Sequence, residues 1–333
     1  MSNHYLGKVD YSDPLYEILY SRVCPDIKDP LFHVKRMSLH SVYKYTEEKS
    51  KIAVIGKFFK INDTKQEQIL RIKGEYDNLE KIRGYGFDAS PNYVVRPITR
   101  DERIGLALIE EFIYGRDLDY YLKRAIYEGK STLLMERLSR LASFLYVLHE
   151  KTEMAYNVEL DFVSAYFQKV INKLYIQGIL SDCDRKEYLK LKDKWLNRTL
   201  LQNAKSVIVH GDATPTNFIF TQRGDVVAID LERMKNTDIS FDVSMVCGEL
   251  KHAFLWRTGN PYTAEPFIRH FLKSYSRHSY NRKKAFKEIT LRNPFYMALT
   301  ELRIARNDYL DWNYRKRLAY EAKECLRWGL KLK

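Results

Sequence analysis

The sequence predicts an α+β fold in which a small β-rich region precedes a large, mainly helical one. Three observations predict it. Between His33 and Ile113, short runs rich in β-branched and aromatic residues dominate, broken by one charged, helix-favouring stretch. Beyond Gly115, apolar residues recur at helical spacing. A β-rich interlude over residues 206–230 then interrupts the helices.

The elements follow in order. The first 30 residues hold Pro14, Pro25 and Pro30 among mixed short segments and read as an irregular or short-helical extension. Ser41 to Tyr45 (SVYKY) and Lys51 to Phe59 (KIAVIGKFF) are strand candidates joined by a polar hairpin loop. Thr64 to Arg83 favours helix, with Leu70, Ile72, Leu79 and Ile82 supplying part of an apolar face, and Gly84 and Gly86 end it. Tyr93 to Pro97 and Gly105 to Ile113 (GLALIEEFI) are the next strands. Leu134, Leu138, Leu141, Leu145 and Leu148 then mark a core-facing helix, followed by helices over Phe162–Leu180 and Arg185–Leu201. The interlude reads strand (SVIVH), loop (GDATPTN), strand (FIF), turn (TQRGD), strand (VVAID), and the remainder is helical. This divides the chain into an extension (1–32), a β-rich lobe (33–113) and a helical lobe (114–333).

Composition narrows the class. Aromatic residues make up 14% of the 333 residues, which argues against a disordered chain. No apolar run approaches the roughly 18 residues of a membrane span, and the N-terminus has no apolar segment of a signal peptide. The four cysteines are scattered without a CxxC pair, against both a zinc site and a disulfide framework. These features predict a soluble protein of the reducing cytoplasm. The net charge is +13, and Lys251 to Lys333, with 19 Lys and Arg against 7 Asp and Glu, carries +12 of it. Such a region is either a solvated helical face or a site for an anionic partner. No zinc-finger spacing or aromatic RNP pattern accompanies it, so nucleic acid is not the expected partner.

The segment His210–Gly211–Asp212–Ala213–Thr214–Pro215–Thr216–Asn217, with Ile229–Asp230 after it, carries the chemistry. Phosphoryl transfer needs a carboxylate to orient a hydroxyl and receive its proton, oxygen ligands for Mg²⁺, and a cation on the α/β-phosphates. Asp212 suits the first role. Asn217, five residues on, and Asp230, eighteen on, suit the second, because Mg²⁺ takes carboxylate, amide and phosphate oxygens. Two lie on one loop and the third ends the next strand, so convergence is expected.

HGDATPTN…VVAID resembles the catalytic loop and metal-binding hairpin of the aminoglycoside phosphotransferase and choline kinase-like family, which has the bilobal protein-kinase-like fold. IDLE at Ile229 to Glu232 is similar to the IDFE of choline and ethanolamine kinases, and Asp242 in SFDVS is similar to the Asp-containing element that follows. The resemblance implies that Lys57 is the ATP-binding lysine and Glu75 its ion-pair partner, with Glu80 a competitor for that place. It implies that GLALIEEFIYGRDL is the hinge strand and linker, with main-chain groups of Glu110, Glu111 and Phe112 holding adenine. The family's phosphate-covering loop usually carries a glycine; Lys35 to Val42 (KRMSLHSV) has none, which makes close backbone approach sterically harder.

The expected activity is therefore transfer of the γ-phosphoryl group of ATP (or GTP) to a hydroxyl of a small molecule, a sugar, amino alcohol or aminoglycoside-like acceptor, assisted by Mg²⁺. The +12 terminal region favours an anionic acceptor over a polycationic one. The rivals are a kinase acting on a protein or large glycan and a nucleotide-binding scaffold docking an anionic partner. The short segment from Leu231 to Asp242 argues against a protein acceptor, and the intact Lys57, Asp212, Asn217 and Asp230 set argues against a scaffold.

Overall fold

The computed structural model describes residues 4–38, 41–58 and 65–332. Leu39 and His40 of the glycine-free stretch, Phe59, Thr64, and the side chains of Leu70 and Ile72 lie outside what is described. The architecture is α+β, with an antiparallel sheet in the N-terminal region and a mainly helical C-terminal part. The chain forms two compact units, Met1–Gly115 with Thr221–Arg233, and Arg116–Phe220 with Met234–Lys333.

The first unit opens with strand β1 (His4–Lys8), helix α1 (Pro14–Val23) and strands β2 (Phe32–Ser38), β3 (Val42–Glu47) and β4 (Ala53–Phe58). Helix α2 (Lys65–Ile82) follows, then β5 (Asp88–Ala89), β6 (Asn92–Val94), β7 (Pro97–Asp101) and β8 (Leu106–Glu111). Six strands make one antiparallel sheet in the order β1-β2-β3-β4-β8-β7. The first 30 residues hold the short helix that their pattern allowed, and also a strand that it did not. β1 pairs with β2, and Val9, Leu15, Leu19 and Cys24 bury with Phe32, Tyr45, Val54, Leu106 and Ile109 in one cluster. The hairpin loop between β3 and β4 is held from inside: buried Glu47 accepts from the Lys49 and Ser50 amides at 2.8 and 2.6 Å.

The second unit begins with β9 (Arg116–Asp117) and helices α3 (Leu118–Glu128), α4 (Ser131–Lys151), α5 (Leu160–Ile176), α6 (Asp182–Leu196) and the single turn α7 (Thr199–Gln202). The leucine stripe of α4 is core: Leu134, Leu138, Leu141, Leu145 and Leu148 are all buried. The helix expected from Arg185 to Leu201 starts earlier and breaks. Ser181 and Asp184 form a capping box at its N-terminus, and α6 and α7 divide the span.

Strands β10 (Val207–Val209), β11 (Phe218–Phe220) and β12 (Val226–Ala228) are the β-rich interlude. β12 pairs in parallel with β6, so this part of the interlude is built into the first unit. β13 (Lys235–Thr237), which the sequence pattern did not signal, pairs antiparallel with β10. Helices α8 (Ser240–Thr258), α9 (Glu265–Ser276), α10 (Arg282–Ala305) and α11 (Trp312–Gly329) complete the chain. α8 and the second half of α10 are buried nearly all round, which places their charged residues inside the unit.

Candidate active site

In the first unit, strand pairing sets Lys57 of β4 opposite Leu108 of β8. Glu110 lies two residues along β8 and therefore shares a sheet face with Lys57. The Lys57 ammonium sits 2.5 Å from Glu75 Oε1, 3.4 Å from Glu110 Oε1 and 3.9 Å from Asp230 Oδ1. Helical periodicity chooses between the two glutamates of α2. Glu75 lies four residues before Leu79, and both are buried, whereas Glu80 points to solvent. The same helix face presents Asn78, whose amide donates to the Leu231 carbonyl at 2.8 Å. That bond ties the turn carrying Asp230, which has a left-handed φ of 64°, to α2. The sequence pattern gave no signal for Asn78.

Three carboxylates around one ammonium leave a local excess of negative charge. Burial opposes the charged form of Lys57, but Glu110, Glu75 and Asp230 outweigh it and raise its pKa well above the ordinary lysine value. Burial raises Glu75. Burial also pushes Glu110 up to about 7, with Lys57 pulling the other way, and its Oε2 is buried without a hydrogen-bond partner. A carboxyl whose folded pKa lies above its unfolded value binds a proton in the folded state that the unfolded chain has already lost. Its contribution to stability therefore falls as pH rises from about 4.5 to about 7. Replacing Glu110 by Gln removes this loss. The variant is expected to exceed the parent in stability by about 3 kcal/mol at about pH 8, with the gain shrinking toward acid pH. Thermal melts across that range check it, and a gain independent of pH would count against the buried charge as cause.

After Glu110 the sheet takes up part of the main chain expected to face adenine. The Glu111 amide donates to the Arg96 carbonyl at 3.1 Å and the Phe112 amide to the Ala53 carbonyl at 3.1 Å. The Glu111 carboxylate accepts from the Arg96 amide at 2.7 Å and from the Tyr93 hydroxyl. Glu110 directs its side chain to Lys57. Two of the expected N–H donors are thus used by the sheet itself. Among the described residues, the Phe112 carbonyl and the main-chain groups of Ile113 have no hydrogen-bond partner.

In the second unit, β10 delivers the loop His210–Asn217. Gly211 adopts a φ of 79°, a conformation costly for any residue with a Cβ. The Asp212 carbonyl accepts from the Thr214 amide at 2.7 Å and from Asn217 Nδ2 at 2.9 Å, closing the loop. Asp242, at the start of α8, holds the loop from beneath. Its carboxylate is fully buried and accepts from the amides of His210 at 2.6 Å and Gly211 at 3.0 Å. His149 Nε2 lies 3.4 Å from the same carboxylate, and His149 Nδ1 lies 2.8 Å from the Tyr275 hydroxyl. Asp242 is therefore a structural carboxylate that binds backbone amides, and His210 braces the loop from a fully buried position.

Arg303 of α10 is the residue the sequence did not reveal. Its Nη1 donates to Asp212 Oδ1 at 2.6 Å and its Nη2 to Glu249 Oε1 of α8 at 2.9 Å. The three side chains are each less than a fifth exposed. Burial raises the Glu249 pKa while Arg303 opposes that rise. Removing the guanidinium would leave two carboxylates without their cation. Arg303→Met is expected to cost about 3–5 kcal/mol and Arg303→Lys less, since lysine keeps the charge but not the fork. Urea denaturation reads both; two variants of parental stability would sink this assignment.

The donor chemistry suits Mg²⁺ bound together with phosphates. Asn217 spends its amide nitrogen on the Asp212 carbonyl, which leaves the amide oxygen as its remaining donor in the second unit; in the first unit, Asp230 offers a carboxylate beside Lys57. Among the described residues, no three His, Cys, Asp or Glu side chains are grouped to hold a metal by protein ligands alone.

A family model described as "Phosphotransferase enzyme family" matches residues 138–280. No curated protein matches the chain by sequence. Three solved structures share its fold. The Plasmodium vivax ethanolamine kinase has a TM-score of 0.61 at 11% identity, with 94% of this chain and 88% of that one covered. The choline kinase from Cryptosporidium parvum has a TM-score of 0.60 at 13% identity, covering 96% and 97%. The streptomycin–ATP–APH(2")-IIa ternary complex has a TM-score of 0.55 at 14% identity, covering 96% and 99%. At these identities the three show the fold, and the family match lies over the helices and loop that carry Asp212 and Asn217. The chain thus combines a match to the phosphotransferase enzyme family over residues 138–280 with a protein-kinase-like fold.

Proposed function

We propose that the protein transfers the γ-phosphoryl group of ATP to a hydroxyl of a small molecule, with Asp212 as the base. The ion pair of Lys57 with Glu75 beside Asp230 is the observation that carries this reading. A buried lysine among three carboxylates stays charged, and it is fixed in direction by Glu75, so it can clamp the α/β-phosphates. Glu75 restrains Lys57, and Asn78 restrains the turn that presents Asp230. Asp212 accepts the proton of the acceptor hydroxyl, and Arg303 orients its carboxylate through Oδ1. Asn217 and Asp230 would hold Mg²⁺. When bound, that ion would neutralise charge developing on the transferred group. The unpartnered main chain of Ile113, rather than the amides of Glu111 and Phe112, is the candidate for pairing with the nucleobase edge.

The ATP of the structurally similar ternary complex supports ATP as donor, with GTP the alternative. The acceptors named with the similar structures, an aminoglycoside, choline and ethanolamine, all present an alcohol to the phosphoryl group. The concentration of positive charge in the last 83 residues weighs toward an acceptor carrying negative charge. The test is transfer of labelled γ-phosphate from MgATP and MgGTP into pooled sugars, amino alcohols, nucleosides and aminoglycosides. A labelled small product that is absent with Asp212→Asn supports the reading. Nucleotide binding without transfer to any member of the pool would overturn the small-molecule acceptor.

A further inference from the structure

The turn joining α9 to α10 concentrates positive charge that the fold does not use. From Pro266 to Lys287 the chain has seven Lys and Arg and no Asp or Glu. Arg269, Lys273 and Arg277 recur every four residues, so they stand on one face of α9 and its C-terminal cap, where all three are exposed and line one open groove. Arg282, Lys283, Lys284 and Lys287 are exposed on the opening turns of α10. Of the seven, Lys284 alone reaches a carboxylate, Glu288 at 3.9 Å. The other six side chains make no ion pair or hydrogen bond among the described residues. The cations packed inside the same unit are matched: Arg303, Arg257 and Lys251 each sit on a carboxylate. Three cations in the first turn of α10 also oppose the partial positive charge of that helix end, so helix formation gives no reason for them.

At the apex of this turn, between Arg277 and Arg282, Tyr280 is 107% exposed. Its ring packs on nothing. A tyrosine with an apolar body and a polar tip suits the headgroup level of a bilayer, and clustered Lys and Arg beside it are the signature of attraction to anionic lipid. A strand of nucleic acid would stack successive bases on several rings. Here Tyr275 is buried and Phe286 half-buried, which leaves one ring.

We propose that the α9–α10 turn docks on an anionic lipid surface, with the basic side chains on the headgroup phosphates and Tyr280 at the headgroup level. Charge and one ring make a reversible, salt-sensitive association rather than a permanent anchor. Among the described residues, no helix is long and apolar enough to cross a membrane. The inference does not depend on the activity proposed above.

Co-sedimentation of the full chain with phosphatidylcholine vesicles, with and without phosphatidylserine, tests it. Binding is expected with phosphatidylserine only and should disappear as salt is raised. The combined variant Arg282→Gln, Lys283→Gln, Lys284→Gln should bind about a hundredfold more weakly. Tyr280→Ser should weaken binding by about threefold to tenfold. These side chains are exposed, so both variants should melt with the parent. Equal binding to both vesicles, binding to neither, or undiminished binding by the triple variant overturns the proposal. Tighter retention on single-stranded RNA than on the anionic vesicles also overturns it and assigns the patch to nucleic acid.

Discussion

Replacing Asp212 by Asn lowers the turnover number by about 10²–10⁴-fold while leaving nucleotide affinity within about threefold. The asymmetry follows from the geometry. Asp212 touches the loop through its main chain and Arg303 through its side chain, and neither contact belongs to the Lys57 cluster. Asparagine keeps an oxygen for Arg303 Nη1, so the loop should survive, but it does not take up a proton from a hydroxyl. Alanine is the harsher change, because Arg303 would then pair with Glu249 alone. The measurements are single-turnover transfer and nucleotide titration on the same protein. A variant with turnover within about tenfold of the parent would show that Asp212 is not the base. Equal loss of turnover and nucleotide binding would show that it acts on the donor.

Replacing Asp242 by Ala costs about 3–5 kcal/mol of stability and takes activity with it. The carboxylate is fully buried, and its removal orphans the amides of His210 and Gly211 and the ring of His149 together. Asp212 lies one residue beyond those amides, so the base loses its support. Burial alone would raise the Asp242 pKa; the hydrogen bond and charge of His149, then the charge of His210 and the Gly211 amide, overcome it and hold the group below its ordinary value. The sign of the pH dependence follows. A carboxyl with a depressed folded pKa contributes stability that is present above its unfolded value near 3.8 and lost as pH falls through the folded one. Asp242→Asn should retain part of the stability, since it still offers one acceptor, and it should lack this acid-side loss. Urea midpoints at neutral and acid pH check both variants; a parental midpoint for Asp242→Ala would refute the role.

Part of the site is legible in the order of residues along the chain. HGDATPTN and VVAID declare themselves because their chemistry is local: a loop whose carboxylate and amide are five residues apart, followed by a strand that ends in Asp. Lys57 is singled out by the resemblance, at a place on the second predicted strand ahead of a charged helix. Glu75 is legible only as one of two glutamates, and burial of one helix face chooses it over Glu80. The N-terminal segment misleads because its prolines hide a short strand that gains meaning only through its partner, β2. Which main-chain groups near Glu110, Glu111 and Phe112 stay open is not legible, because a strand's hydrogen bonds depend on what pairs with it.

Spacing, periodicity and residue type determined the class of fold, the order of most of its elements and the loop proposed to carry the chemistry. These properties are local, and a few neighbouring residues encode each of them. Tertiary structure alone decided that Arg303 and Glu249 would join Asp212, that Asp242 would hold the loop amides, and that Glu110 would crowd Lys57. These partners lie 91, 54, 32 and 31 residues apart or bridge paired strands. No periodic pattern reports which buried charges will meet, because that choice is made by packing, where each buried ion takes whichever counter-charge the neighbouring elements bring within reach.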